Sequence, residues 1–268
     1  MHNGLYGLSF NPFDKQADPK QVCFQSNDFR EMTNRLNFIK DVRGIGLFTA
    51  PPGFGKTYAL RCFAENLNPN LYQMAYMCLT TVSVTEFYRQ FCTALNLDVS
   101  FHRSTMFKVI QERLFTLLKE KRRPFIIAID EAHDMDPRAL KDIKMIMNYA
   151  YDSLNCFTLL LIGEPYLNNI LAKPVHEALL QRITIHYNFS GLSADETLQY
   201  INLKISNAGG CPSILAEGAA SAVYGFSNGN PRVIDNVMSD ALDIGEQLGK
   251  RVIDTDVILS AVENQSFV

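Results

Sequence analysis

The stretch TAPPGFGKTYAL, Thr49 to Leu60, decides the fold. Gly53 and Gly55 precede Lys56 and Thr57, between an apolar run that reads as a strand and a pattern that reads as a helix. In that setting the glycines let consecutive N–H groups turn inward around phosphate oxygens, and the helix N-terminus adds positive potential. Lys56 then reaches the β and γ phosphates of ATP, and the Thr57 hydroxyl serves as a magnesium ligand. Pro52, Phe54 and Tyr58 complete the expected binding segment around these four residues. Ala50 stands where the strict pattern has glycine; its methyl is tolerated if φ is negative, and Pro51 and Pro52 stiffen the approach. The competing reading is an ordinary glycine-rich turn.

Outward from this loop, short apolar runs alternate with helical patterns. GIGLFT (44–49), QMAYMCL (73–79), FIIAID (125–130), FTLLLI (157–162) and ITIHYNF (183–189) read as strands. VTEFYRQFCTAL (84–95) and MFKVIQERLFTLLKEK (106–121) place apolar residues at helical spacing. Such repetition predicts an α/β fold, with a five-stranded parallel sheet flanked by helices. After Phe189 the pattern changes to four helices, about 193–207, 213–225, 231–247 and 255–263, the first opened by Ser193 and Glu196 spaced as a capping box. The expected domains are 1–190, which binds nucleotide, and 191–268, a small C-terminal helical lid.

The 268 residues are 47% hydrophobic and 20% charged, enough for a sizeable core and against disorder. A net charge of -3 excludes coating of nucleic acid by bulk charge, which needs clustered Lys and Arg. The six cysteines are scattered, with no C-x-x-C pair, which fits reduced thiols and a cytoplasmic protein. No apolar run approaches the roughly 20 residues of a membrane span, so no membrane partner is expected.

FIIAIDEAHDM carries the second half of the chemistry. Asp130 and Glu131 end a strand at the sheet edge where ligands bind in open α/β folds. Asp130 would hold magnesium, and Glu131 would orient and deprotonate the attacking water. One such carboxylate alone could simply end a strand; beside the phosphate loop, that reading recedes.

APPGFGKT together with IIAIDEAHDM resembles the AAA+ P-loop NTPases, from about Gly4 to Val262. Within them the order of marks is similar to the ExeA-type group and to the transposition ATPases of the Mu B, TniB and TnsC kind. The resemblance implies that Asn11, Pro12 and Phe13, in the opening YGLSFNPFDK, border the adenine within an N-terminal segment 1–43; alternatively they form an apolar strap over the sheet edge. It implies that Arg182 is an arginine finger completing a neighbour's site in a ring or helical filament, and that Arg232, after Gly229, Asn230 and Pro231, is the second sensor. Either arginine could instead form a surface ion pair. The first sensor falls on Glu164, an acid that a γ-phosphate would repel unless a cation or water intervenes; otherwise it is a loop residue satisfied by Lys173 or solvent.

For a target, Arg103, Ser104, Thr105 and Lys108 lie at a loop-to-helix junction after His102. They could grip the backbone of double-stranded DNA or form a solvated helix face. KEKRRP (119–124) reads as a solvated connector. The resemblance implies a transposition regulator that oligomerises on DNA and activates a DDE transposase. A secretion-associated ATPase of the ExeA type is the alternative, as is a clamp or helicase loader. The ExeA type carries a membrane segment and a further domain that this sequence does not display, which ranks it second.

Overall fold

The computed structural model describes residues 5–14, 23–78, 83–119, 122–151 and 154–265. Leu79, Glu120 and Lys121, assigned to a strand and a helix from sequence, lie outside them, as do Lys15 and Gly4 of the resembling segment.

Five strands, β1 (Gly44–Thr49), β2 (Gln73–Cys78), β3 (Phe125–Asp130), β4 (Phe157–Gly163) and β5 (Ile183–Asn188), form one parallel sheet in the order β2-β3-β4-β1-β5. Every residue of β1, β3 and β4 is buried, whereas β5 at one edge alternates between half-buried and exposed. A strand covered on both faces needs no polar side, which is why the central runs are uninterrupted. Parallel pairing also sets the strand ends level. Thr49 is opposite both Gly163 and Asn188, and Cys78 is opposite Asp130.

The helices are α1 (Asn27–Val42), α2 (Lys56–Asn66), α3 (Val84–Ala94), α4 (Arg103–Lys119), α5 (Pro137–Ile146), α6 (Tyr166–Leu171), α7 (Glu177–Leu180), α8 (Ala194–Asn207), α9 (Ala219–Ser227), α10 (Pro231–Gln247) and α11 (Thr255–Gln265). Two differences from the sequence reading have local causes. α4 starts at Arg103, so the basic junction occupies its first turns. α9 starts at Ala219 instead of 213, because Pro212 opens a separate 3-10 turn and Gly218, at φ 84°, breaks the chain direction first. The capping box of α8 forms as expected, Ser193 Oγ accepting from the Glu196 N–H and Glu196 from the Ser193 N–H.

The chain divides into two compact units. One comprises Glu31–Pro52 and Lys56–Phe189; the other gathers the described residues before 31, the loop tip Gly53–Gly55 and the chain from Ser190 onward. The first is the sheet with its helices, and its core includes edge-to-face pairs Phe87–Phe91 and Phe91–Phe157 at 5.7 and 6.3 Å. In the second, Tyr6, Leu8 and Phe13 join Ile201, Ile205, Ile234 and Met238 in one apolar cluster. The opening segment is thus part of the helical unit's core.

Candidate nucleotide site

Asp130, the last residue of β3, is 3% exposed, and both carboxylate oxygens are engaged. Oδ1 accepts the Glu131 N–H at 3.0 Å; Oδ2 accepts the hydroxyls of Thr57 and Tyr76, each at 2.8 Å. The Thr57 bond ties the first turn of α2 to the end of β3 across 73 residues. Burying a carboxylate costs several kcal/mol unless its lone pairs are satisfied, and here three donors satisfy them. Burial and the bond to Asp130 push the Tyr76 phenol well above its ordinary range, so it serves as a donor and not as a base.

Lys56, 7% exposed, opens α2 and turns its ammonium onto the preceding loop, donating to the carbonyls of Ala50 at 2.7 Å and Pro51 at 3.1 Å. The two loop glycines are required for different reasons. Gly55, at φ 84°, has open space where a Cβ would go, so only its backbone angle demands glycine. Gly53, at φ 88°, would also drive a Cβ to 2.5 Å from Asn230 Oδ1 and 2.8 Å from Arg232 Cβ. Ala50 is absent from the positive-φ residues; its methyl is fully buried and its N–H donates to Gly163 at 3.1 Å. Its departure from glycine therefore carries no backbone strain.

Glu131 sits at φ 54°, ψ 37°, a left-handed conformation that costs a non-glycine residue about 1 kcal/mol or more and recurs at functional positions. It is half-buried and aims its carboxylate toward His133, with Oε2 3.4 Å from Nδ1. Glu164 directly follows β4, and its neighbour is also His133, with Oε1 3.9 Å from Nε2, rather than Lys173. His133 and Tyr76 were missed in the sequence. The DEAH spacing marks the histidine, while Tyr76 gives no local signal, because only the β2–β3 register brings it beside Asp130.

The other expected residues are placed as follows. Arg232 is exposed in the first turn of α10, where Asn230 Oδ1 caps its N–H at 3.0 Å. Arg182 is half-buried one residue before β5. Tyr58, in α2, carries Arg61 over its ring at 5.2 Å, and Phe54 approaches Gly191 so closely that a Cβ there would stand 2.8 Å from the ring. Asn11 donates to Ser239 Oγ of α10 at 2.7 Å and caps the Phe13 N–H at 3.0 Å; Pro12 and Phe13 are buried, with Lys204 over the Phe13 ring. Arg103 forms an ion pair with Asp142 and lies 5.4 Å from the Tyr88 ring centroid, while Ser104, Thr105 and Lys108 are exposed. In KEKRRP, Arg123 bonds the Pro69 carbonyl, which makes that residue a tether of the β2 entry instead of a solvated connector.

This donor set suits a magnesium nucleotide. A hydroxyl and a carboxylate lie within hydrogen-bond distance, beside a glycine loop with an ammonium at its base. Among the described residues no cluster of three or more His, Cys, Asp or Glu could hold a metal ion unaided. Magnesium keeps waters and phosphate oxygens in its shell, so two protein oxygens are what it needs.

Residues 39–171 match the protein family described as AAA domain. The fold is that of the AAA+ P-loop NTPases. Cdc6p from Pyrobaculum aerophilum superposes with a TM-score of 0.69 over 96% of this chain and 71% of its own, at 14% identity. ORC2 of Aeropyrum pernix gives 0.67 over 98% and 73%, at 11%; RuvB of Thermotoga maritima gives 0.56 over 95% and 73%, at 17%. In sequence, General secretion pathway protein A of Aeromonas hydrophila is 27% identical over 267 residues, 98% of this chain and 48% of that protein. The chain thus spans about half the length of the curated relative it matches. That relative is of the secretion type, so of the two groups resembled in sequence the ExeA-like one is supported and the transposition regulators are not. No helix among the described residues is long and apolar enough to cross a membrane.

Proposed function

We propose that the protein is an ATP-hydrolysing AAA+ module of the kind present in General secretion pathway protein A. It would work as an oligomer in which Arg182 completes the site of a neighbouring subunit. Residues 31–189 would carry its nucleotide-binding sheet and 191–268 its lid, with residues 5–14 packed into the lid's core. The observation that carries the hydrolase reading is the Thr57–Asp130 hydrogen bond, which joins the phosphate loop's helix to the strand end bearing Glu131. What supports the secretion type over a transposition regulator is the match along 98% of the chain. A DDE transposase partner, which goes with the transposition reading, draws no support from this match.

The roles follow from the donors. Main-chain N–H groups of Gly53–Thr57 and the Lys56 ammonium would hold the phosphates; Thr57 and Asp130 would hold magnesium, which would supply charge neutralisation for phosphoryl transfer. Glu131 accepts a proton from the attacking water at its carboxylate. Arg182 supplies a planar cation from outside the subunit, and Arg232 supplies one from the first turn of α10.

Turnover measured against protein concentration tests this directly. Specific activity should rise as subunits assemble, and Arg182→Ala should lower it about 10³-fold with nucleotide affinity unchanged. Normal turnover in Arg182→Ala removes the finger assignment. Sedimentation with a slowly hydrolysed ATP analogue, with and without duplex DNA, separates the classes. Assembly on nucleotide alone supports the secretion type, whereas nucleotide-dependent pelleting with DNA at low salt returns the DNA-acting reading.

A further inference from the structure

His133 lies in the 3-10 turn Ala132–Asp134 that follows β3, with its side chain 14% exposed. Three carboxylates surround the imidazole: Glu131 Oε2 at 3.4 Å from Nδ1, and Asp134 Oδ1 at 3.8 Å and Glu164 Oε1 at 3.9 Å from Nε2. The ring is fixed among them by the end of β4. The main-chain N–H of Glu164 donates to Nδ1 at 3.3 Å. Gly163 gives the ring its room, since a Cβ there would stand 3.2 Å from Nδ1 and 3.3 Å from the His133 nitrogen. The imidazole therefore spans the ends of two strands that meet in the sheet, with one carboxylate of interest on each side.

We propose that His133 is a positioning residue for hydrolysis: its Nδ1, accepting the Glu164 N–H, ties the turn that follows Glu131 to the end of β4, and its Nε2–H edge faces the Glu164 carboxylate. The proposal rests on the ATPase reading above. It accounts for two features together. An acid at the first-sensor position is tolerable beside a triphosphate when an imidazole N–H edge stands against it. The left-handed backbone of Glu131 leads straight into the turn that this bond anchors, so the strained residue is restrained from its C-terminal side as well. His133 acts through Glu131 and itself touches neither water nor phosphate in this role.

The test measures kcat and KM for ATP hydrolysis, nucleotide affinity and thermal melting for the wild type, His133→Ala, His133→Leu, His133→Gln, Glu164→Gln and the double variant His133→Ala/Glu164→Gln. Leucine refills the space against Gly163 and carries the test if alanine fails to melt cooperatively; the corresponding double variant is then made on leucine. Removing the imidazole should lower kcat at least tenfold and leave nucleotide affinity within twofold. His133→Gln, which keeps an N–H, should recover part of the rate. Neutralising Glu164 should also recover several-fold in the double variant, a coupling that a purely structural histidine would not give. A kcat within twofold of wild type in the variant lacking imidazole overturns the proposal, as does a double variant whose losses simply multiply. A wild type that hydrolyses no ATP at any concentration overturns the ATPase reading and this proposal with it; an active wild type with an unaffected His133→Ala overturns this proposal alone.

Discussion

Two helices of the sheet unit open with nearly the same vocabulary and do different things. α2 begins Lys56-Thr57 and α4 begins Arg103-Ser104-Thr105, each a cation followed by hydroxyls at a helix N-terminus. At α2 the cation is buried on the carbonyls of its own loop, and the hydroxyl is bonded to a carboxylate on another strand. At α4 the guanidinium is half-exposed and paired with Asp142, and the hydroxyls face solvent. The potential of a helix end is common to both; what separates them is the chain in front. Gly53 and Gly55 take positive φ in the α2 approach, a conformation that allows N–H groups to converge on an anion, while the residues before Arg103 include no such glycine.

The difference is sharpest in catalysis. Glu131→Gln would remove the proposed base while keeping the shape of the side chain, so kcat should fall about 10²–10⁴-fold with ATP still bound. A pre-steady-state assay that finds unchanged turnover would reassign the base. Lys56→Ala comes next. Losing one charge-assisted contact of about 1.5–3 kcal/mol should weaken nucleotide binding roughly ten- to a hundredfold, read by titration of a fluorescent analogue. Gly55→Ala should weaken it less than Gly53→Ala, because the first meets only an unfavourable φ and the second also collides with Asn230 and Arg232. Equal losses would mean that the loop can shift away from α10.

The sheet was legible because its central strands are buried on both faces and appear as unbroken apolar runs. Lys56, Thr57, Asp130 and Glu131 were legible for a related reason, since a phosphate loop and a strand-ending acid are local patterns. α1 and α5 went unread although their signals were present. Met32, Leu36 and Ile39 recur at helical spacing behind a Ser26 cap, and Asp136-Pro137 is an N-cap followed by proline in the first turn. His133 and Tyr76 are another matter. Their roles depend on residues 31 and 54 positions away, which become neighbours only through strand order and register. The opening segment left two readings open because an aromatic cluster announces burial without saying under which unit.

The smallest effect is expected where sequence placed a DNA contact. The Asp142 carboxylate is largely buried, with the Arg103 guanidinium paired to its Oδ2 and the Tyr88 hydroxyl beside it, so Arg103 offsets a charge that solvent does not reach well. Arg103 also covers the Tyr88 ring, whose hydroxyl burial pushes up to about 12. Arg103→Ala should therefore destabilise the protein by about 1–3 kcal/mol, through the stranded carboxylate more than through a surface ion pair. Asp142→Asn in the same chain should restore much of that loss, because it removes the charge that needed a partner. ATP turnover should stay within twofold in both variants. Lys108→Ala, at an exposed position of α4, should leave the melting temperature where it was. If Arg103→Ala instead melts normally and loses an affinity for duplex DNA that the wild type has, α4 is a phosphate-binding helix end after all, and its likeness to α2 is functional.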